Sequence, residues 1–402
     1  MAFGDGPDDA ALRSAWDTFC DKLKDAGSRV FKDHNPASGV QRVDGFRFLT
    51  QNLGQAFDLA LETRDTRYPA IHTFCHPTRK LGGDCADFLY QQAWIDGSST
   101  YRITGDRGTA AFFNITVQGP RPVGPGVLHE PFGDVPEANL SGTQLRIDDD
   151  GGFEIYVGGP RREPNWLPTT AGSRKLFIRQ GFDRWDEVPA RMRIERVDMT
   201  TPRPLPTPAD MTAAIEWAGD FLTAMMSDWP EYPFTHGGVD PEHLNRFPDV
   251  AATGADAKRG RAAANMHWRL AGDEALIIEF EAHDGLWMLT NMGAFFTSMD
   301  YLYRPVSYTP SRTAVDADGV VRLVLSHDDP GYHNWIDTQG FERGNLTYRH
   351  MLDGEPVPLR TRLVKRAELA DALPPDTATV TPQQRAEQMW QRFTGVRRRY
   401  AG

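Results

Sequence analysis

Asn165-Trp166-Leu167-Pro168-Thr169 returns as Asn334-Trp335-Ile336-Asp337-Thr338, an offset of 169 (334 − 165). Working outward, Asp150-Gly151 ahead of an apolar strand returns as Asp318-Gly319 ahead of another, an offset of 168 (318 − 150). Nearer the start, Tyr101-Arg102-Ile103-Thr104-Gly105-Asp106 is echoed by Trp268-Arg269-Leu270-Ala271-Gly272-Asp273, an offset of 167 (269 − 102). Three anchors in one order at nearly constant offset read as two copies of one β-rich module of about 85 residues.

The bulk numbers agree with that reading. At 402 residues the chain has room for two or three domains, each with a core. A hydrophobic share of 40% and a charged share of 25% belong to an ordinary globular protein. A formal net charge of −11 argues against nucleic acid, which needs a clustered basic face. The one basic run, Arg397-Arg398-Arg399, reads as a solvated helix end that complements the helix dipole. The cysteines Cys20, Cys75 and Cys85 cannot all pair, and no two have metal-finger spacing. The start at Met1 has no basic-then-apolar pattern, and no apolar run is long enough to span a bilayer. Together these predict a cytoplasmic protein without a membrane partner.

The pattern along the chain predicts a mainly β fold with flanking helices, an α+β arrangement of two tandem β-sandwich or jelly-roll-like modules. Residues 1–100 read as a helical region, 101–200 as the first module and 201–266 as a proline-rich connector with a helix. Residues 267–366 read as the second module and 367–402 as a helical tail. Leu12, Trp16, Phe19, Leu23 and Phe31 have helical spacing, as do Phe46, Leu49, Leu53, Phe57 and Leu61. Asp84 to Trp94 reads as a short third helix. Asp149-Asp150-Gly151-Gly152 reads as a hairpin turn. Thr207-Pro208-Ala209-Asp210 opens a helix whose stripe is Ile215, Ala218, Leu222, Met225 and Met226. Thr381-Pro382-Gln383-Gln384 opens the last helix.

The densest chemical cluster runs from Ser326 to Thr338. His327, Asp328, Asp329, His333 and Asp337 lie in it, and the sister loop from Gly158 to Thr169 has no histidine and one acid, Glu163. What both copies share, Asn and Trp, reads as architecture: the Asn ties a turn and the Trp plugs the core. What one copy alone carries is the better candidate for chemistry, because a carboxylate beside an imidazole equips acid–base catalysis. Arg179 and Arg349 recur behind the two motifs. Each reads as an ion-pair partner for a carboxylate such as Asp106 or Asp273, with an anion clamp as the alternative. The aromatic stretch from Leu286 to Arg304 reads either as plain core or as the wall of an apolar pocket with Asn291, Ser298 and Asp300 as its polar groups. Phosphate-cradling glycine loops, nucleophile elbows and dinucleotide fingerprints are absent from the sequence. His72 and His76 are four apart, but the flanking Pro69 and Pro77 oppose a helix there, so no metal site is expected.

Other stretches resemble a known family. Asp273-Glu274-Ala275-Leu276-Ile277-Ile278-Glu279, Ser298-Met299-Asp300-Tyr301, and Asp329-Pro330-Gly331 through Asn334-Trp335-Ile336-Asp337-Thr338-Gln339-Gly340 resemble the bacterial domain of unknown function 1214. Lys80-Leu81-Gly82-Gly83-Asp84, Asp87 and Tyr90 are similar to the front half of its long single-chain members. Cys85-Ala86 departs from the family's Asn-Pro, and His333 departs from its more usual proline. The resemblance implies a β-sandwich or jelly roll and no particular activity. Its members' occurrence in bacteria that degrade lipids, steroids and aromatics points toward a hydrophobic small molecule.

The expected function is therefore a cofactor-independent hydrolase, lyase or isomerase working on such a molecule. Asp329 or Asp337 would act as base, with His327 as partner, and Arg349 or Asn334 would polarise an oxygen. Trp287, Asn291, Phe295, Asp300, Tyr301, Tyr332, His333 and Trp335 would bind the substrate. The alternatives are a non-catalytic carbohydrate- or lipid-binding protein and an oligomerising structural protein, so a homo-oligomer stays open. The loop from Ser326 to Thr338 is expected to share one pocket with the 286–303 stretch.

Overall fold

The computed structural model describes residues 6–33, 35, 37–120, 134–235, 240, 242–250, 261–351 and 356–400. The Met1 start, part of the 201–266 connector and residues 352–355 of the expected second module lie outside the described residues.

Helices α1 (Asp9–Ser28) and α2 (Gly39–Phe57) come first. The strands of the first half are β1 (His72–Cys75), β2 (Phe88–Trp94), β3 (Tyr101–Asp106), β4 (Phe112–Gly119), β5 (Val135–Ser141), β6 (Gly152–Val157), β7 (Trp166–Leu167), β8 (Lys175–Gly181) and β9 (Arg191–Arg196). Helix α3 (Pro208–Thr235) precedes the second half. That half holds β10 (Arg261–Arg269), β11 (Glu274–Glu281), β12 (Leu286–Met292), β13 (Ser307–Tyr308), β14 (Val320–Ser326), β15 (Trp335–Asp337), β16 (Arg343–Met351) and β17 (Arg360–Lys365). Helix α4 (Pro382–Tyr400) follows.

Among the described residues four sheets form two similar pairs. The first half has orders β1-β2-β8-β4-β5 and β7-β6-β3-β9, and the second has β10-β16-β12-β13 and β15-β14-β11-β17. Apart from β1 the orders match strand for strand. Each pair buries its inner faces together. Ile103, Ile115, Phe153 and Ile178 fill one core, and Ile278, Leu289, Leu323 and Leu346 fill the other. These are two sandwiches in a mixed α+β fold. The outer faces of the β2 and β12 sheets are covered by α1, α2 and α3 through Phe88, Tyr90, Phe112, Met288 and Met351.

The structure corrects several expectations. Asp84 to Trp94 is a turn and then a strand, β2, which pairs β8 from Phe88↔Gly181 to Trp94↔Lys175. The first half's sheet thus begins before residue 101, and β10 begins before residue 267. The anchor that pairs Tyr101–Asp106 with Trp268–Asp273 is out of register. By pairing, β3 corresponds to β11: Asp106 faces Gly152 and Glu281 faces Val320, an offset of 175 (281 − 106). Trp268–Asp273 is the end of β10 and a turn, whereas Tyr101–Asp106 is the strand β3, so the Gly-Asp pattern recurs without a shared structure. The turn at Asp150-Gly151 opens β6 after β5, which lies in the other sheet, so it is not a hairpin. Trp16 and Phe31 are 52% and 61% exposed despite their helical spacing. The C-terminal arginine run is a solvated end only in part: Arg397 and Arg398 are exposed, whereas Arg399 is 3% exposed and faces Asp87.

The Asn motifs hold. Asn165 Nδ2 donates to the carbonyls of Arg146 and Glu154, and its Oδ1 accepts from the Arg146 N–H. Asn334 makes the same three bonds with Ala314, Arg322 and the Ala314 N–H. Each Asn therefore staples the loop before its sandwich strand to that strand. The Trp reading does not hold for both copies. Side chains alternate along a strand, so Leu167 and Ile336 enter the cores and Trp166 and Trp335 lie on the outer faces. Trp166 is half-buried and Trp335 is buried.

Candidate functional site

The residues expected to form one site are dispersed. His327 bonds Thr338 Oγ1 at 2.8 Å through Nδ1. Asp329 forms a two-point ion pair with Arg385 of α4, at 2.9 and 3.1 Å. Asn334 is the staple described above. Arg349 pairs with neither module carboxylate; its Nη2 donates to the Gly83 carbonyl at 2.7 Å. Asp273 instead meets Lys365. Trp287 lies in the second sandwich core. Asn291 accepts from Trp268 Nε1 and donates to the Asp337 carbonyl. Phe295 packs on Phe48. Tyr332 and Trp335 lie under the C-terminal segment, where Tyr332 bridges Thr379 and Arg385 stacks over the Trp335 ring at 5.3 Å. His333 lines a separate cavity beside α4.

Asp300 and Tyr301 lead elsewhere. A cavity of about 90 Å³ lies between α2 and the second half. Its polar wall is Asp44, Arg47, Lys80, Thr297, Asp300 and Gln339, and its apolar wall includes Val40, Val43, Phe48 and Phe341. Lys80 is buried. Its Nζ donates to the carbonyls of Ser298 and Met299 and lies 4.9 Å from the Tyr301 ring centroid. Behind it, Asp84 accepts from the Ser298 N–H at 2.7 Å and from the Ser298 hydroxyl. Gln339 is held by the Asp337 carboxylate at 2.7 Å and bonds both backbone groups of Asp300. Asp337 therefore stands one residue behind this cavity.

The sequence folds this way for local reasons. Gly82 and Gly83 let the segment after Lys80 pass close to its neighbours. A Cβ at Gly82 would sit 1.9 Å from the Trp229 ring, and Gly83 has φ +73°. Two non-glycine residues with positive φ flank the cavity, Phe296 at 52° and Gln339 at 55°. Such strain concentrates where the surrounding structure enforces a geometry.

The electrostatics are unusual here. Asp44 is half-buried by area yet ringed by protein, and it accepts no hydrogen bond from any described residue. Burial raises its carboxyl pKa, with Lys80 and Arg47 pulling the other way. Burial likewise raises Asp84 and lowers Lys80. Burial also raises Asp337, against its bonds to Gln339 and Arg304.

Asp44, Lys80 and Asp84 were not singled out as site residues by sequence. Asp44 has a legible signal: it shares the i, i+4 row of Val40 and Phe48 on α2, where a carboxylate is out of place. Lys80 and Asp84 have only the Gly-Gly between them. Among the described residues no group of three His, Cys, Asp or Glu side chains could hold a metal ion, and no helix is long and apolar enough to cross a membrane.

The family described as "Protein of unknown function (DUF1214)" matches residues 90–180. A crystal structure of an uncharacterized protein from Burkholderia cenocepacia is similar at 30% identity and TM-score 0.80, over 89% of this chain and 99% of that one. The VPA0106 protein from Vibrio parahaemolyticus is similar at 11% identity and TM-score 0.41, over 79% of this chain and 98% of that one, too slight a likeness to argue from. No curated protein matches the chain.

Proposed function

We propose, for a chain that belongs to the DUF1214 family, a cofactor-independent enzyme that moves a proton within a small carbonyl compound. One observation carries this reading: Asp44 faces a cavity without a hydrogen-bond donor, its basicity raised by burial, beside the buried ammonium of Lys80. A carboxylate in that state is equipped to be a general base. Asp44 takes a proton from the carbon next to a carbonyl, and the electron pair moves onto the carbonyl oxygen. Lys80 stabilises the charge that develops there. In a ketone whose C=C lies one carbon beyond the deprotonated carbon, the electron pair swings back from the oxygen to re-form the carbonyl. The proton returns from Asp44 to the far end of that C=C, so the double bond moves into conjugation and the reaction is an isomerisation. The cavity is smaller than the roughly 150 Å³ that holds a benzene, so only the reacting end of the substrate enters. Val40 and Val43, 38% and 59% exposed, offer a rim for an apolar remainder such as a lipid, steroid or aromatic body.

The test is solvent-deuterium incorporation into a panel of cyclic and long-chain ketones in D2O, followed by NMR. Asp44→Asn should abolish exchange and Asp329→Asn should leave it. Absence of exchange in the parent protein, with the Asp44 carboxyl titrating in the ordinary carboxylate range, would end this reading.

A second reading, carbohydrate or lipid binding, has one observation in its favour. Tyr303, Phe393 and Trp390 stack at 5.5 and 5.7 Å on the surface, with Tyr303 59% and Trp390 60% exposed. Loss of retention on a glycan or liposome column in Trp390→Ala would support it.

A further inference from the structure

Beside α4 the molecule buries more positive charge than it neutralises. Arg312, from the Pro310–Arg312 turn, and Arg392 and Arg399, from α4, gather near the single carboxylate of Asp87. Arg312 Nη2 lies 2.8 Å from Asp87 Oδ1, and Arg399 Nη1 lies 3.4 Å from it. Arg392 donates to the hydroxyl and carbonyl of Ser307 at 3.1 and 2.7 Å. The Trp185 ring faces all three guanidiniums, at 4.0, 5.1 and 5.4 Å. The Arg312 side chain is 7% exposed, Arg392 is 4% exposed and Arg399 is 3% exposed.

Buried guanidinium needs a counter-charge, because the ion gives up its hydration on leaving water. Asp87 supplies one. Burial would raise its carboxyl pKa, but the three arginines outweigh that and hold it below the ordinary range. Arg392 is pushed down to about 10 by burial, helped by Arg312. The other nearby acids are engaged. Asp183 accepts from the N–H and hydroxyl of Ser311, and Asp329 is paired with Arg385. Arg312 Nη1 and Arg392 Nε are buried and have no hydrogen-bond partner among the described residues. Guanidinium N–H groups left over in this way match the oxygens of a carboxylate or phosphate.

A cavity of about 270 Å³ opens at this point. Arg312, Arg392, Tyr308, Ser311, His333 and Gln388 line it. His333 is oriented by its neighbour. Its Nδ1 lies 2.9 Å from Asn334 Oδ1, a carbonyl oxygen that can only accept, so Nδ1 carries the proton and the Nε2 edge is left for other partners. Asn334 is itself fixed by its staple.

We infer that this cavity binds a small organic oxyanion through Arg312 and Arg392, with Trp185 packing behind the two guanidiniums. The ligand carries a carboxylate or phosphate group, and its charge completes the neutralisation that Asp87 begins. The site is separate from the α2 cavity, so it stands whether or not Asp44 is a catalyst.

Calorimetry on the full chain with inorganic phosphate and with malonate, against chloride at matched ionic strength, tests this. Saturable one-site binding of either anion at millimolar concentration or below is expected, and which anion binds assigns the ligand's head group. Arg312→Gln should weaken that binding roughly tenfold or more. Met389→Trp fills the cavity from a half-buried lining position and keeps both arginines, so it should abolish binding with the thermal melt intact. Asp44→Asn should change nothing. Absence of saturable heat with both anions, or undiminished affinity in Met389→Trp, overturns the inference. If Arg312→Gln does not fold, Met389→Trp decides alone.

Discussion

The loop from Gly158 to Thr169 and the loop from Ser326 to Thr338 are the same structure with different neighbours. Both end in an Asn staple and a short parallel strand, β7 on β6 and β15 on β14. In both, the Trp indole N–H donates back to its own half, to the carbonyl of Gly158 at 3.2 Å or of Ser326 at 3.3 Å. The middle of the first loop, residues 159–164, is exposed. The second is overlaid by the C-terminal segment: Val380 donates to the Gly331 carbonyl, His333 to the Ala378 carbonyl, and Arg385 grips Asp329. Asp328 meets Arg366 in the same way. The extra acids of the second copy thus stand where that copy has something to hold. A charge difference between duplicated loops reports first a difference in what covers them.

That comparison can be broken by measurement. The largest expected effect is at Trp335. Trp335→Ala should cost about 3–5 kcal/mol in chemical denaturation, as other buried aromatics do. The duplicate position is half solvated, so Trp166→Ala should cost under about 2 kcal/mol. Equal losses would mean that the C-terminal segment does not cover Trp335 in solution. Next come the staples. Asn165→Ala and Asn334→Ala each remove three hydrogen bonds to backbone, and each should lose about 3 kcal/mol, at about 1 kcal/mol per bond. Here equality is the expectation, and a difference above about 1 kcal/mol would show that the staples do unequal jobs.

A smaller effect is expected at the ion pair. The Asp329 side chain is 35% exposed, so solvent screens it, and Asp329→Asn should cost no more than about 1 kcal/mol. Its signature should be faster proteolysis of the segment after residue 373 and no change in the first half. The smallest effect is a pH dependence at Asp44. Its folded pKa is raised, so the protonated protein is favoured and stability falls as pH rises through that value. Asp44→Asn should therefore be more stable than the parent at neutral pH, with the gain vanishing below the ordinary aspartate pKa of about 3.9. Melts at pH 7 and pH 3 that differ from the parent by the same amount would show that Asp44 is not desolvated.

Legibility followed the range of the interactions. The Asp-Gly repeat is local and placed β6 and β14 correctly, and the Asn of each Asn-Trp repeat ties a turn as expected, but the short strands β7 and β15 lie inside stretches read as loops. The helix from Pro208 was legible from its cap, and Thr207 and Asp210 bond each other as that cap requires. The strand β2 was misread because Phe88–Trp94 is buried on both faces and shows no alternation. The Tyr101–Asp106 anchor failed because its first copy is the strand β3 and its echo is the end of β10 and a turn, so the shared Arg and Gly-Asp reflect no shared structure. The cavity under α2 was hidden for a different reason. Asp44 on a helix, Lys80 on a loop and Asp300 in the second half are far apart in sequence and meet only after both sandwiches dock on the helices.

By itself the sequence determined the duplication, the β-rich class, the flanking helices and the family, because periodicity, turn residues and short motifs act within a few residues of themselves. The tertiary structure alone decided which polar residues share a cavity and which are staples. Burial, orphaned guanidinium groups and a desolvated carboxylate are properties of surroundings. The surroundings of Asp44, Lys80, Arg312 and Arg392 are assembled from segments hundreds of residues apart, where no local pattern can record them.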